Sequence, residues 1–75
     1  MQLVGSPKQA ASAVAMGMDI IGATGTESGG HTGEISTLVL LPQCADICKG
    51  TKTILVGGGG IFEGRGVAAC FALGA

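Results

Sequence analysis

The only histidine of this 75-residue chain, His31, stands in a polar, glycine-rich segment whose residue types suit chemistry. An imidazole can accept or donate a proton near neutral pH, so it is suited to acid–base work. Gly29 and Gly30, directly before it, allow a backbone to approach a flat or anionic ligand closely. Residues 24–33 therefore predict a functional loop. A loop histidine that only bonds to backbone carbonyls is the alternative.

A second glycine run covers residues 57–60 and lies between an apolar segment and a helix-like one. Consecutive glycines let a backbone turn sharply and present its N–H groups to an anion, and the N-terminus of a following helix adds about half a positive charge. The run predicts a phosphate cradle, and a plain turn between strand and helix is the alternative. Nucleotide fingerprints do not match, because Gly64 comes one residue late for the dinucleotide pattern and Arg65-Gly66 replaces the lysine and hydroxyl residue of a P-loop.

Short apolar segments rich in β-branched residues alternate with alanine-rich segments, which is typical of alternating strands and helices. Ser6 before Pro7 indicates a helix N-terminus. Pro42 has no backbone N–H, so we expect it to begin the second helix, after a lead-in turn over residues 38–41. The expected strands are residues 2–4, 19–23 and 53–56, and the expected helices are residues 7–16, 42–49 and 64–73.

This order predicts an α/β fold made of three strand-then-helix units. Such units pair their strands in parallel, and right-handed crossovers place the helices on one face of the sheet. Ligands collect beyond the carboxyl ends of parallel strands. Since both glycine-rich segments follow strands, we expect them at that shared edge, where His31 and the phosphate cradle would serve one site.

Composition excludes several classes of protein. Hydrophobic residues make up 47% of the chain and charged residues only 12%, which excludes a disordered tail. The net charge of −1 without a basic cluster predicts no nucleic-acid partner. No apolar run reaches about 18 residues, so no membrane span is expected. With no signal-peptide pattern, we expect a cytoplasmic protein.

The remaining reactive side chains predict no further site. The three cysteines lack a C-x-x-C pair or a zinc-like spacing, so we expect reduced, buried thiols and no metal. These are Cys44, Cys48 and Cys70. Three carboxylates are expected to be exposed single groups with no pairing at a useful spacing, and the last of them is expected at a helix entry: Glu27, Glu34 and Glu63.

Two separated motifs, GTESGGHTG at residues 25–33 and GGIFEGRGVAA at residues 59–69, occur in the order seen in one enzyme family. Together with LGA at residues 73–75, they make the chain resemble the nitronate monooxygenases, formerly called nitropropane dioxygenases. The resemblance covers nearly the whole chain. It implies that residues 1–75 are a partial FMN-binding domain, about three consecutive βα units of a (β/α)8 TIM barrel, and that a further strand follows Ala75.

The resemblance also implies which residues contact the cofactor, FMN. Gly29 and Gly30 match glycines that lie along the flavin, and Gly59 and Gly60 match glycines whose amides hold its phosphate. Thr24 stands where the family usually has a flavin-contacting glutamine. These are the cofactor-binding residues that the resemblance predicts.

His31 matches the active-site histidine of the family. The implied activity is oxidation of nitronates or nitroalkanes with molecular oxygen, with this residue as base or hydrogen-bond partner. A sister group, the FMN-dependent enoyl-acyl-carrier-protein reductases that use NAD(P)H, shares both motifs and often has serine where Ser28 stands. Reductase activity is therefore the first alternative. The second is an inactive structural fragment, or a piece that completes its barrel with other chains, as in a homo-oligomer.

Overall fold

Strands and helices alternate along the chain, which the computed structural model describes at residues 1–28 and 34–75. The strands are β1 (Gln2–Val4), β2 (Ile20–Thr24) and β3 (Ile54–Gly58), and the helices are α1 (Pro7–Ala15), α2 (Thr37–Cys48) and α3 (Gly64–Ala72). This order confirms the predicted α/β class with three βα units. Apart from α2 and β3, the elements agree with the predicted bounds to within one residue.

The strands form a parallel sheet in the order β1-β2-β3. The register pairs Val4 with Ala23 and Ala23 with Gly57, so the carboxyl ends of all three strands lie at one edge. Helices α1 and α2 contact each other and the sheet. The parallel pairing that the βαβ pattern predicted is therefore confirmed.

The core lies between the sheet and helices α1 and α2. Alternate strand residues point into it and meet apolar residues from both helices. The fully buried members are Val4, Ala10, Ile21, Ala23, Leu40, Leu41 and Cys44. Burial of each large apolar side chain contributes about 1.5–3 kcal/mol, so this layer holds the helices against the sheet.

The other face of the sheet is apolar and open. Leu3, Ile54 and Val56 are 42%, 60% and 45% exposed. Parallel sheets are normally covered on both faces. This face therefore has the character of a surface that packs against further polypeptide.

Helix α2 begins earlier than the sequence predicted. The expected start at Pro42 was wrong, because the helix runs over Thr37–Cys48 with the proline inside it. The proline removes the helical hydrogen bond to the Leu38 carbonyl, and Leu38 lies on the exposed side of the helix. Full burial of Leu40 and Leu41 outweighs this cost, since each buried leucine contributes about 1.5–3 kcal/mol.

Strand β3 continues into the glycine run that was expected to end it. The strand was predicted at residues 53–56, whereas it spans Ile54–Gly58, and both of its glycines pair with β2. Packing explains the first of them, because a Cβ at Gly57 would lie 2.9 Å from the Leu41 Cδ2. Half of the glycine run therefore belongs to the sheet, and only residues 59–60 form a turn.

The cysteines are free thiols, as predicted. Cys44 and Cys48 on α2 are buried, and Cys70 on α3 is partly buried. Burial, with a smaller contribution from Cys48, raises the pKa of the Cys44 thiol to about 11. Among the described residues, no group of three or more histidine, cysteine, aspartate or glutamate side chains could hold a metal ion.

Helices long and apolar enough to cross a membrane are absent from the parts of the chain that the structure describes.

We expect Gly57→Ala to destabilise the full-length protein, because the new Cβ would overlap the buried Leu41 side chain. Overpacking of a filled core typically costs about 1–3 kcal/mol, which lowers the melting temperature by several degrees. Gly58→Ala is the matched control, since its Cβ would meet only the Thr24 Cγ2, at 3.7 Å. Thermal unfolding of both variants tests this, and equal melting temperatures would contradict the packing role of Gly57.

Candidate functional site

The loops after β2 and β3 start side by side at the carboxyl edge of the sheet. Strand β2 ends at Thr24 and β3 at Gly58, and these two residues are register partners. The Thr24 Oγ1 also donates to the Val4 carbonyl across 3.3 Å, which connects it to the end of β1. Thr24 therefore lies at the edge where the sequence predicted a site.

Three predicted site residues, Gly29, Gly30 and His31, lie outside the described residues, and their roles stay predictions. The described start of their loop is a compact turn. In it the Ser28 amide and Oγ donate to the Gly25 carbonyl across 3.1 and 2.8 Å.

Gly59 and Gly60, here called the glycine turn, follow β3 in the left-handed region of the backbone, with φ of +112° and +72°. A residue with a Cβ is strained in that region. Space opposes a side chain as well, because a Cβ at Gly59 would lie 2.7 Å from the Thr37 Oγ1 and one at Gly60 would lie 3.3 Å from the Glu27 Cβ. Both positions therefore favour glycine strongly.

The glycine turn fits an anion such as a cofactor phosphate. The Gly25 amide still donates to the Gly58 carbonyl (3.2 Å), but the next amide, that of Thr26, donates to the Ile35 carbonyl instead (3.0 Å). The hydrogen-bonded pairing between the β2 and β3 segments therefore ends before the glycine turn, and α3 begins shortly after that turn, at Gly64. Glycine amides and helix N-termini both favour negative charge. The residues present are thus compatible with a bound phosphate, and the phosphate cradle stays a prediction.

Glu63 stands at the start of α3, as predicted, and forms an ion pair with Arg65. Its carboxylate accepts two hydrogen bonds from the Arg65 guanidinium, at 2.7 and 2.8 Å, and makes no capping hydrogen bond to the helix. The Arg65 hydrogen bond lowers the pKa of Glu63, and the same bond raises the pKa of Arg65. Sequence reasoning did not predict this ion pair with Arg65. Because the pair is exposed, it contributes little to stability.

Glu27 is a residue of this edge that sequence reasoning missed. Its Oε1 accepts from the Thr37 amide (3.0 Å), the Thr37 hydroxyl (3.1 Å) and the Thr26 hydroxyl (3.3 Å). The hydrogen bond from the Thr37 amide is the main cause that lowers the pKa of Glu27. Since Thr37 is the first residue of α2, the carboxylate meets the positive end of that helix.

The prediction that Glu27 is exposed was confirmed, and its hydrogen bonds with Thr37 were not predicted. Its partner, Thr37, is ten residues away along the chain, so no short sequence pattern around Glu27 indicates the contact. The one available hint was that α2 has no acidic residue in its own first turn.

We expect Glu27→Gln to lower the stability of the full-length protein slightly at neutral pH and less in acid. The pKa of Glu27 is lowered from its ordinary 4.5, so the added stability is complete above that value and is lost as the pH falls through the folded-state pKa. The effect is small because the side chain is exposed. Melting temperatures from about pH 7 to about pH 3 measure it. Asp46→Asn, at another exposed carboxylate, is the control, and a deficit for Glu27→Gln that persists in acid would contradict the assignment.

Comparisons with known proteins agree with this geometry. A family model described as nitronate monooxygenase matches residues 1–75. The Mycobacterium tuberculosis protein Rv1533, provisionally named a monooxygenase, is 47% identical over 73 residues, which are 97% of this chain and 19% of that protein. FabK from Thermotoga maritima superimposes with a TM-score of 0.87 at 41% identity, over 97% of this chain and 22% of that one. Nitroalkane oxidase from Streptomyces ansochromogenes superimposes with a TM-score of 0.84 at 32% identity, over 97% of this chain and 23% of that one.

The chain spans 19% and 20% of the length of two curated relatives that it matches. Both solved structures are TIM barrels. The three βα units described above therefore correspond to a consecutive part of such a barrel, as predicted. In a TIM barrel the helices lie outside, so the open apolar face of the sheet is the one that points to the barrel interior.

Proposed function

The chain belongs to the nitronate monooxygenase family, which is a family of oxidoreductases, and we propose that the whole protein binds FMN and oxidises nitronates or nitroalkanes with molecular oxygen. The family and FabK are generally flavin-dependent. The observation that carries the proposal is the glycine turn, which lies past the carboxyl end of β3 and shortly before α3. The activity is assigned to the whole protein because the chain spans only 19% of a matched relative.

In this proposal the glycine turn holds the phosphate of FMN. The amides of Gly59 and Gly60 and the N-terminus of α3 would donate to its oxygens. Glycine is needed there for two reasons: the backbone is left-handed, and a Cβ would meet Thr37 and Glu27. Bound FMN supplies the redox chemistry, while the protein supplies orientation and electrostatics.

The other cofactor contacts that we propose come from the end of β2 and the loop after it. Thr24 lies at the carboxyl edge of the sheet, next to Gly58, and its hydroxyl donates a hydrogen bond to the Val4 carbonyl. Gly29 and Gly30 are proposed to lie along the flavin, on the strength of the family resemblance.

His31 is proposed as the catalytic residue, acting as base towards a nitroalkane or as hydrogen-bond partner of a nitronate. A positioned imidazole is suited to both roles near neutral pH. The support is the motif in which it stands and its loop, which starts beside the glycine turn. The substrate is thus a small molecule, and oxygen is the proposed second substrate.

Reduction of an enoyl thioester by NAD(P)H is the second candidate function. FabK, which belongs to the enoyl-acyl-carrier-protein reductases, superimposes at 41% identity, compared with 32% for nitroalkane oxidase. A structural role without activity for these 75 residues alone agrees with their length. Completion of the barrel by other chains and a cytoplasmic location stay predictions.

Gly59→Val and Gly60→Val are expected to strip FMN from the full-length protein. A Cβ at either position is strained in the left-handed backbone and meets the Thr37 or Glu27 side chain, so the turn must change shape. The ratio of FMN to protein after purification, read from the absorbance spectrum, measures this.

Gly50→Val is the control for backbone strain alone. Gly50 is also left-handed, at φ +78°, but a Cβ there would meet nothing within 4 Å, and it lies after the far end of α2. Wild-type FMN content in both glycine-turn variants would refute the cradle, as would equal loss in the control.

We expect His31→Asn to lower turnover about 10²- to 10⁴-fold, because a general base usually contributes a factor of that size. FMN should stay bound in this variant. Oxygen uptake with a nitronate and no nicotinamide is the assay for the proposed activity. NADH oxidation with an enoyl thioester is the assay for the alternative. Unchanged turnover on whichever substrate is used would remove the catalytic role of His31.

A further inference from the structure

We propose that Glu27 is a positioning residue for the glycine turn: its side chain, together with Thr37, holds Gly59 and Gly60 in the shape that binds the phosphate of FMN. The inference rests on the proposed function, since it assumes that this turn binds FMN. It concerns a side chain that has no place in the proposed chemistry itself.

Thr37 joins three parts of the carboxyl edge. It is only 4% exposed, its amide and hydroxyl donate to the Glu27 Oε1 (3.0 and 3.1 Å), and its hydroxyl lies 3.3 Å from the Gly58 carbonyl. A hydroxyl has one hydrogen to donate, and an ionised carboxylate is the stronger acceptor. The Gly58 carbonyl already accepts from the Gly25 amide (3.2 Å), so donation to Glu27 leaves neither acceptor unsatisfied. Glu27 therefore fixes the orientation of the Thr37 hydroxyl.

The glycine turn lies directly against these two side chains. A Cβ at Gly59 would lie 2.7 Å from the Thr37 Oγ1, and a Cβ at Gly60 would lie 3.3 Å from the Glu27 Cβ and 3.5 Å from its Cγ. Glycine has no side chain to restrict its own backbone, so it readily takes other conformations. The neighbouring side chains therefore keep the turn in one shape, and loss of Glu27 removes part of that support.

Simple electrostatics predicts the opposite effect of removing Glu27. The carboxylate is negative and close to a turn that would bind a phosphate, with its Oε2 3.7 Å from the Cβ position of Gly60. If repulsion governed affinity, every neutral replacement would tighten FMN binding. If position governs it, Glu27→Ala weakens binding, and Glu27→Gln, which keeps the side-chain stem and an acceptor for the Thr37 amide, restores most of it.

The test compares FMN with riboflavin, which lacks the phosphate, on the apoprotein of the full-length enzyme. Quenching of flavin fluorescence gives both dissociation constants for the wild type, Glu27→Ala and Glu27→Gln. We expect Glu27→Ala to raise the Kd for FMN about tenfold, as for the loss of a charge-assisted hydrogen bond, and to change the Kd for riboflavin less than about twofold. Glu27→Gln should stay within about threefold of the wild type for both flavins.

Asp46→Ala is the matched control, because it removes another exposed carboxylate, near the opposite end of α2. Amide hydrogen exchange of a peptide covering residues 57–62 gives a readout that needs no flavin. It should speed up in the Glu27→Ala apoprotein and not in the control, because the turn loses its support.

Unchanged or tighter FMN binding by Glu27→Ala would overturn the inference. Equal loss of affinity for FMN and riboflavin would also overturn it, since that result marks a general destabilisation. Failure of the wild type to bind FMN would instead overturn the proposed function, and the inference with it.

Discussion

The arrangement of the carboxyl edge depends on the parallel pairing of β2 with β3. Because Thr24 and Gly58 are register partners, the two loops that follow start side by side, although they are far apart along the chain. An antiparallel pairing would place them at opposite edges. The hydrogen bond from the Gly25 amide to the Gly58 carbonyl then carries the contact one residue beyond the strands, to the point where the glycine turn begins.

Close packing at this edge explains the glycines at least as well as ligand binding does. Gly57 leaves room for the buried Leu41 side chain, and a Cβ at Gly25 would clash with the backbone and hydroxyl of Thr37. Among the described glycines of this edge, only Gly59 and Gly60 combine close contacts with a left-handed backbone. A glycine-rich motif is thus a mixture of packing positions and turn positions, and its length alone overstates the size of a cradle.

Sequence patterns predicted those features that depend on neighbours along the chain. The Ser6-Pro7 pair marked the start of α1, and the Ser6 side chain accepts from the Gln9 amide, as a helix cap does. The patterns failed where the deciding contact is distant. Helix α2 starts before Pro42 because the burial of Leu40 and Leu41 outweighs the cost of a proline inside the helix.

The same reason explains which parts of the site could be predicted. The sequence placed Thr24, Gly59 and Gly60 at the carboxyl edge of the sheet, because the order of strands and helices determines which loops lie there. Glu27 was missed because its partner, Thr37, is brought to it by the fold and not by spacing. Distant hydrogen bonds of this kind leave no periodicity in the chain.

The open face of the sheet and its carboxyl edge have different roles in a TIM barrel. Leu3, Ile54 and Val56 lie on this face, and the interior of a TIM barrel is a core filled by side chains of its strands, while sites lie at the carboxyl edge. A cradle for a cofactor phosphate can be common to enzymes of different activity, because it does not touch the reacting part of the substrate. Similar TM-scores of 0.87 with FabK and 0.84 with nitroalkane oxidase agree with this view. The backbone of these three βα units is thus common to FabK and to nitroalkane oxidase, so the difference between those two enzymes does not lie in the backbone of this part of the fold.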